Sequence, residues 1–204
     1  MSNEIVRGEF RWLRRLFWLY VMLLIFEGSL RKWVLPGYAN LLLVIRDPVV
    51  FAIYFLAFRK GLMSRDPWIL SIAVLSAVAF GASFLASTPR LIVPMYGWRA
   101  NFLHIPLLFL LPKFLQREDV LSIGKAVLLI AMPSAVLMAY QFLSPRDSWI
   151  NTTAGGVGFQ IDNSAGGIRP AGTFSFITGP VFYYSLVAAF VGHGLLKKGQ
   201  IPLW

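Results

Sequence analysis

The sequence contains no cysteine, so it can form no disulfide and can carry no thiolate nucleophile or thiolate metal site. Charged residues are also scarce: they make up 14% of the chain, whereas a soluble domain contains about 25%. Neither a glycine-rich phosphate loop nor a paired His or Cys spacing occurs, so the sequence predicts no nucleotide hydrolase, no metal and no other cofactor. These absences exclude a water-soluble domain and leave the redox compartment open.

Hydrophobic residues account for 57% of the 204 residues, and the mean hydropathy is +0.67. They form runs that recur along the whole chain, each close to the roughly 20 residues that a helix needs to cross about 30 Å of hydrocarbon. The pattern predicts an all-α protein, a polytopic transmembrane helix bundle of about six spans in contact with membrane lipids. The predicted spans cover roughly residues 16–35, 39–58, 68–87, 100–115, 120–143 and 175–196.

Basic residues outnumber acidic ones, 19 to 9. They occur singly or in pairs between the apolar runs, so membrane topology explains them and no nucleic-acid partner is predicted. In the connections between spans, 12 Lys and Arg lie on the side of the N-terminus and 6 on the other side. Because basic connections are retained in the cytoplasm, both termini are predicted to be cytoplasmic. The basic N-terminus lacks a cleavage pattern, which predicts an uncleaved first span. The expected location is a bacterial cytoplasmic (inner) membrane.

The longest polar connection, residues 144–173, lies on the outer face in this topology and contains six glycines. Glycine permits tight turns and close approach of the backbone to a ligand, but the same composition also suits a flexible linker. No internal repeat or second soluble domain is evident, so residues 1–204 are interpreted as a single transmembrane domain. The last residues look like the approach to another span, and we expect the amino-terminal part of a longer protein.

Arg46 and Asp47 lie within the second apolar run, where a charge persists only if it is paired or faces a cavity. Pro48 disfavours helical geometry at Asp47, so the run is expected to break there and to begin a new helix within the membrane. A helix N-terminus beside an arginine attracts anions such as phosphate. Alternatively, Arg46 extends to the headgroups and Asp47 only caps the helix.

Two further groups of ionisable residues lie within or near the ends of predicted spans. Glu27 precedes Arg31 by four residues, the favourable order for an ion pair on one helix, and such a pair would neutralise itself near the interface. Arg99 and His104 lie near the outer end of the fourth span, where the histidine could move a proton near neutral pH. The alternative is a buried histidine bonded to a backbone carbonyl.

Arg169 lies in segment 167–174, which leads from the glycine-rich connection into the last span. A proline follows it, and hydroxyl groups lie nearby on Thr173 and Ser175. This arrangement suits a diphosphate, because arginine binds such groups through two parallel hydrogen bonds. The alternative is an ordinary arginine of the membrane interface.

Three stretches resemble the amino-terminal half of O-antigen ligases and O-antigen polymerases: residues 26–33 (FEGSLRKW), 45–48 (IRDP) and 169–174 (RPAGTF). The resemblance implies transfer of a glycan from undecaprenyl diphosphate to an acceptor at the outer face of the membrane, in lipopolysaccharide or other polysaccharide biosynthesis. It implies a lipid-linked glycan as partner and needs no metal. By this resemblance, Arg169 would contact the diphosphate or glycan, with Arg46 and Arg99 as weaker candidates.

The resemblance leaves the catalytic residues unassigned, because the outer loop that carries the family's histidine is expected beyond residue 204. Accessory roles are assigned to four ionisable residues: Asp47, His104, Glu27 and Arg31. Two other functions fit the same composition. A small transporter or channel would line a polar path with ionisable residues, whereas a non-catalytic membrane subunit would use its charges only at the interfaces.

Overall fold

The computed structural model of the protein describes residues 10–63, 67–86, 92–156, 158, 160 and 167–196. These residues are mainly helical and contain no β-strand, which confirms the predicted all-α class. The described α-helices are α1 (Arg11–Ser29), α2 (Ala39–Leu42), α3 (Arg46–Arg59), α4 (Pro67–Ala86), α5 (Ile92–Phe102), α6 (Ile105–Phe114), α7 (Arg117–Leu143) and α8 (Thr178–Leu196). A π-helix (Leu30–Val34) and two 3₁₀ turns (Pro36–Tyr38 and Trp149–Asn151) lie between them.

Four described segments are long and apolar enough to cross a membrane: Pro36–Arg59, Pro67–Leu85, Arg117–Leu143 and Thr178–Leu196. They carry large hydrophobic side chains on their outward surfaces, and Leu85 and Leu196 are 87% and 88% exposed. Such surfaces are unfavourable in water and are solvated by lipid tails. These helices therefore belong to a membrane protein in contact with lipid.

Helix α1 corresponds to the first predicted span but is more highly charged than these four segments. Arg11, Arg14 and Arg15 occupy its first turns, and Glu27 lies near its end. Its length of 19 residues is close to that of a membrane crossing. The three arginines at its start give that end the composition of a helix that lies at the membrane interface.

The fourth predicted span, 100–115, is divided into two shorter helices. Helices α5 and α6 have 11 and 10 residues, so each is shorter than the roughly 20 residues of a membrane crossing. Pro106 has no N–H group and lies in the first turn of α6, where no helical hydrogen bond is lost. At the break between the two helices, the carbonyl of Leu103 accepts a hydrogen bond from the Tyr54 hydroxyl at 2.6 Å.

The second predicted span is also interrupted, but earlier than expected. The turn lies at residues 43–45 and α3 begins at Arg46, so the predicted break is present and lies about two residues before Asp47. Pro48 fits in the first turn of α3, because backbone N–H groups there have no helical acceptor to lose. Asp47 is a first-turn residue, where a carboxylate interacts favourably with the helix dipole.

The chain divides into two compact units. Unit 1 consists of Met1–Leu19 and Asp47–Gln116, and unit 2 consists of Tyr20–Arg46 and Arg117–Trp204. In unit 1, Phe17 and Phe114 make an edge-to-face contact with ring centroids 6.4 Å apart. In unit 2, α7 packs against α8, and the Tyr183 hydroxyl donates to the carbonyl of Val127 at 2.6 Å. Each unit thus has buried contacts of its own.

Candidate functional site

A buried carboxylate joins two arginines in unit 2. Glu27, near the end of α1, is only 5% exposed. Its Oε1 lies 3.3 Å from Nη1 of Arg31, and its Oε2 lies 2.9 Å from Nε of Arg46. The Ser175 hydroxyl accepts a hydrogen bond from Arg31 at 2.8 Å and donates to Glu27 at 3.4 Å. The predicted contact between Glu27 and Arg31 is therefore present, and Arg46 shares the same carboxylate.

Arg31 and Lys32 are consecutive cations, and both are buried in the π-helix that follows α1. The Nε of Arg31 donates to the carbonyl of Ala39 at 2.9 Å. The ammonium of Lys32 donates to the carbonyl of Gly172 at 3.1 Å. The π-helix is rare in proteins and is frequently found at functional sites.

Gly28 allows the segment before α8 to touch α1 directly. A Cβ atom at this position would lie 2.2 Å from the carbonyl carbon of Phe174 and 2.3 Å from the nitrogen of Ser175. In the same contact the Ser29 hydroxyl donates to the carbonyl of Thr173 at 3.5 Å. Because residue 28 has no side chain, the backbone of this segment reaches the helix and Ser175 reaches Arg31.

Two fully buried amide side chains hold the glycine-rich connection in place. Gln141 accepts a hydrogen bond from the N–H of Gly172 at 2.8 Å and donates to the carbonyl of Ile150 at 3.0 Å. Asn151 donates to carbonyl groups at and just after the end of α7, including that of Pro145 at 2.9 Å. The described part of the connection therefore has fixed contacts, which the flexible-linker alternative does not predict.

A cavity of about 230 Å³ lies beside the two consecutive cations of unit 2. Its polar lining includes Arg31, Lys32, Thr153, Gln160 and Ser175. The volume is below the roughly 300–1,000 Å³ of drug-sized ligand sites. The rest of the lining is apolar, and the volume limits an occupant to about the size of one headgroup.

The polar cluster beside this cavity contains more positive than negative charge. Arg31, Lys32 and Arg46 are cations, whereas Glu27 is the carboxylate that contacts them. Among the described residues, no carboxylate lies within ion-pair distance of Lys32. The cluster thus has an excess of two positive charges in a largely buried place. Buried cations without a counter-charge are unfavourable, so the cluster favours an anionic occupant.

Unit 1 contains a separate ionic group. Arg99 donates to the carboxylate of Asp47 through both Nε and Nη2, the latter at 3.1 Å. The Nε2 of His104 lies 3.9 Å from Oδ1 of the same carboxylate. Asp47 therefore acts as the partner of Arg99, beyond the capping role that the sequence also allows.

A larger cavity, of about 570 Å³, lies beside Arg99 in unit 1. Its lining is mainly apolar and aromatic and includes Phe80, Met95 and Trp98. The guanidinium of Arg99 is already neutralised by Asp47. The cavity therefore offers less polar chemistry than the smaller one in unit 2, and we place the candidate site in unit 2.

The candidate residues predicted from the sequence divide between the two units. The cluster in unit 2 contains Glu27, Arg31 and Arg46, and the group in unit 1 contains Asp47, Arg99 and His104. Arg169, the first diphosphate candidate, belongs to unit 2, is exposed, and does not line the cavity beside Lys32.

Sequence reasoning missed several residues of the cavity, among them Lys32 and Gln160. In the sequence, Lys32 counts only toward membrane topology, and Gln160 is one polar residue of the glycine-rich connection. A signal for Lys32 exists, because it follows Arg31 within the FEGSLRKW stretch. Gln160 has no local signal, since its position depends on packing against distant segments.

Comparison with known proteins gives no match: no family model matches the chain, and neither a curated protein nor a solved structure matches it significantly.

Proposed function

We propose that this chain is a bacterial inner-membrane protein of cell-surface polysaccharide assembly that binds the diphosphate of a lipid-linked glycan in the unit 2 cavity. The main support is the buried excess of positive charge, since Arg31 and Lys32 both line the cavity and the carboxylate of Glu27 contacts Arg31 but not Lys32. The resemblance to O-antigen ligases and polymerases suggests the ligand, a glycan on undecaprenyl diphosphate. In this proposal the chain has about six spans, and both termini are cytoplasmic.

The two cations of the cavity suit a diphosphate in different ways. The guanidinium of Arg31 uses Nε and Nη1 for Ala39, Glu27 and Ser175 and has Nη2 left for a ligand, whereas the ammonium of Lys32 is a compact point charge. Hydrogen bonds to Glu27 and Ser175 fix the orientation of Arg31 before a ligand arrives. Fixed donors lose little entropy on binding, which favours affinity.

The cavity volume of about 230 Å³ limits the bound part to the headgroup. A glycan and a polyprenyl chain are both larger, so they would extend outside it, the polyprenyl chain into lipid. In glycan transfer the diphosphate is the leaving group. Cations that hold it would stabilise the negative charge that develops as the glycosidic bond breaks. Arg31 and Lys32 are thus proposed to bind the leaving group, and the residues that transfer the glycan are left unassigned.

Binding of undecaprenyl diphosphate to the protein in nanodiscs tests this function, with undecaprenol as the uncharged lipid. We expect Lys32→Met to weaken binding about 10- to 100-fold, because a hydrogen bond to a charged group contributes about 1.5–3 kcal/mol. Lys125→Met is the matched control, since Lys125 is exposed on α7 and its removal changes the net charge equally. Equal affinity of the wild-type protein for the two lipids would refute the proposed function.

Arg169→Gln separates the cavity from the site that the resemblance suggests. Because Arg169 is exposed and does not line the cavity, its loss should weaken binding less than about fivefold, as for a surface charge. A larger loss than that caused by Lys32→Met would instead place the diphosphate at the 169–174 segment.

A further inference from the structure

Gln160 carries a buried hydrogen-bond donor without a partner in the described part of the protein. The side chain lines the unit 2 cavity and is 4% exposed. Its Nε2 is buried, and no hydrogen bond to another described residue reaches it. Buried donors in proteins are almost always paired, and this one lacks a partner at a residue that lines the cavity.

The orientation of the Gln160 amide is set by its other half. Its Oε1 accepts a hydrogen bond from the backbone N–H of Ala171 at 2.8 Å. A backbone N–H can only donate, so the amide cannot turn around without placing two donors against each other. The backbone N–H of Gln160 also donates to the carbonyl of Asn151 at 3.2 Å, which anchors the residue. The Nε2 is therefore a fixed donor.

We propose that Gln160 contacts the ligand and determines its chemical class, by donating from Nε2 to an oxygen of the bound anion. This inference rests on the proposed function, since it concerns the same cavity. The guanidinium of Arg31 and the ammonium of Lys32 have donors and no acceptors, and Gln160 adds a third donor. The three together suit a group whose oxygens all accept, such as a diphosphate diester. An ammonium group in this position would place its own donors against those of Arg31, Lys32 and Gln160, so the site would not bind it.

Gln160→Glu tests this role in the nanodisc assay with undecaprenyl diphosphate. Glutamate keeps one oxygen to accept from Ala171 and places a second, charged oxygen where the Nε2 donor was. The variant thus supplies the negative charge that the ligand would otherwise bring. We expect the apparent Tm of the ligand-free protein to rise, and the affinity for undecaprenyl diphosphate to fall about 10- to 100-fold.

Two further variants make the result specific. Asn40→Asp makes the same change from amide to carboxylate at an exposed position of unit 2, and it should leave the affinity close to that of the wild type. Gln160→Met removes the donor without adding charge, so it should weaken binding. It also removes the Oε1 atom that accepts from Ala171, so the apparent Tm should fall. If Gln160→Glu does not fold, Gln160→Met alone tests whether Gln160 contacts the ligand.

The outcomes distinguish this inference from the proposed function. Wild-type affinity in Gln160→Glu or in Gln160→Met would overturn the role of Gln160 and would leave the diphosphate site in place, with water as the partner of Nε2. A wild-type protein that binds undecaprenol and undecaprenyl diphosphate equally would refute the proposed function, and the role of Gln160 with it.

Discussion

A single carboxylate, that of Glu27, is the shared partner of two arginines in unit 2. Its two oxygens contact Arg31 and Arg46 separately, and the residue is only 5% exposed. A charge inside a membrane protein persists where it is paired, and each member of such a group depends on the others. Removal of one charge therefore affects the whole cluster.

Glu27→Gln should destabilise the protein by about 3 kcal/mol, because it leaves two arginines without their carboxylate. The measurement is the apparent Tm in nanodiscs, followed by tryptophan fluorescence. Undecaprenyl diphosphate should stabilise this variant more than the wild type, since the excess positive charge increases. Glu118→Gln, at an exposed position in the first turn of α7, is the control and should change stability by less than about 1 kcal/mol. An unchanged Tm in Glu27→Gln would show that the arginines have another counter-charge.

At the scale of elements, the cavity depends on how the connection between α7 and α8 is held. Gln141 bonds to the backbone near Gly172, and Gly28 lets the following residues touch α1. These contacts place the carbonyl of Gly172 against Lys32 and the hydroxyl of Ser175 against Arg31. The walls of the cavity thus come from a helix end and a connection that meet through backbone contact.

Gly28→Ala should separate these two elements. The added Cβ would lie 2.2–2.4 Å from backbone atoms of residues 173–175, which cannot move as a flexible side chain can. We expect a loss of about 3 kcal/mol in stability, together with weaker binding of undecaprenyl diphosphate. Gly192→Ala in α8 is the control, because a Cβ there has open space and should stabilise the helix by up to about 1 kcal/mol. Equal behaviour of the two variants would argue against close packing at Gly28.

At the scale of the whole molecule, the distribution of charge predicts the orientation in the membrane. Four described segments have the length and composition of membrane spans. Lys and Arg are more frequent in the connections on the side of the N-terminus, which predicts that this side is cytoplasmic. Under this predicted topology the glycine-rich connection lies on the outer face.

Single cysteines can measure this topology, because the natural sequence has none. Asp147→Cys, at an exposed position in the glycine-rich connection, should react with a membrane-impermeant maleimide added to intact spheroplasts. Lys60→Cys, in the connection after α3, should react only after the membrane is permeabilised. Labelling in the opposite order would invert the predicted orientation and place the connection in the cytoplasm.

The class of the protein and one of its ionic contacts follow from the sequence by itself. Apolar runs of about 20 residues determine a helical membrane protein, because that property depends on summed composition and not on exact packing. The contact between Glu27 and Arg31 is also local, since residues four apart lie on one face of a helix. The position of the break before α3 was less predictable, because a proline is tolerated anywhere in the first turn.

Only the tertiary structure decided which basic and polar residues surround the cavity. Lys32 and Gln160 line it, whereas Arg169, the stronger candidate in the sequence, is exposed. Residue type cannot separate these cases, because a lysine, a glutamine and an arginine are all usually found at the surface. Their burial here depends on contacts between segments that are distant in the chain, and local sequence does not encode which of those segments meet.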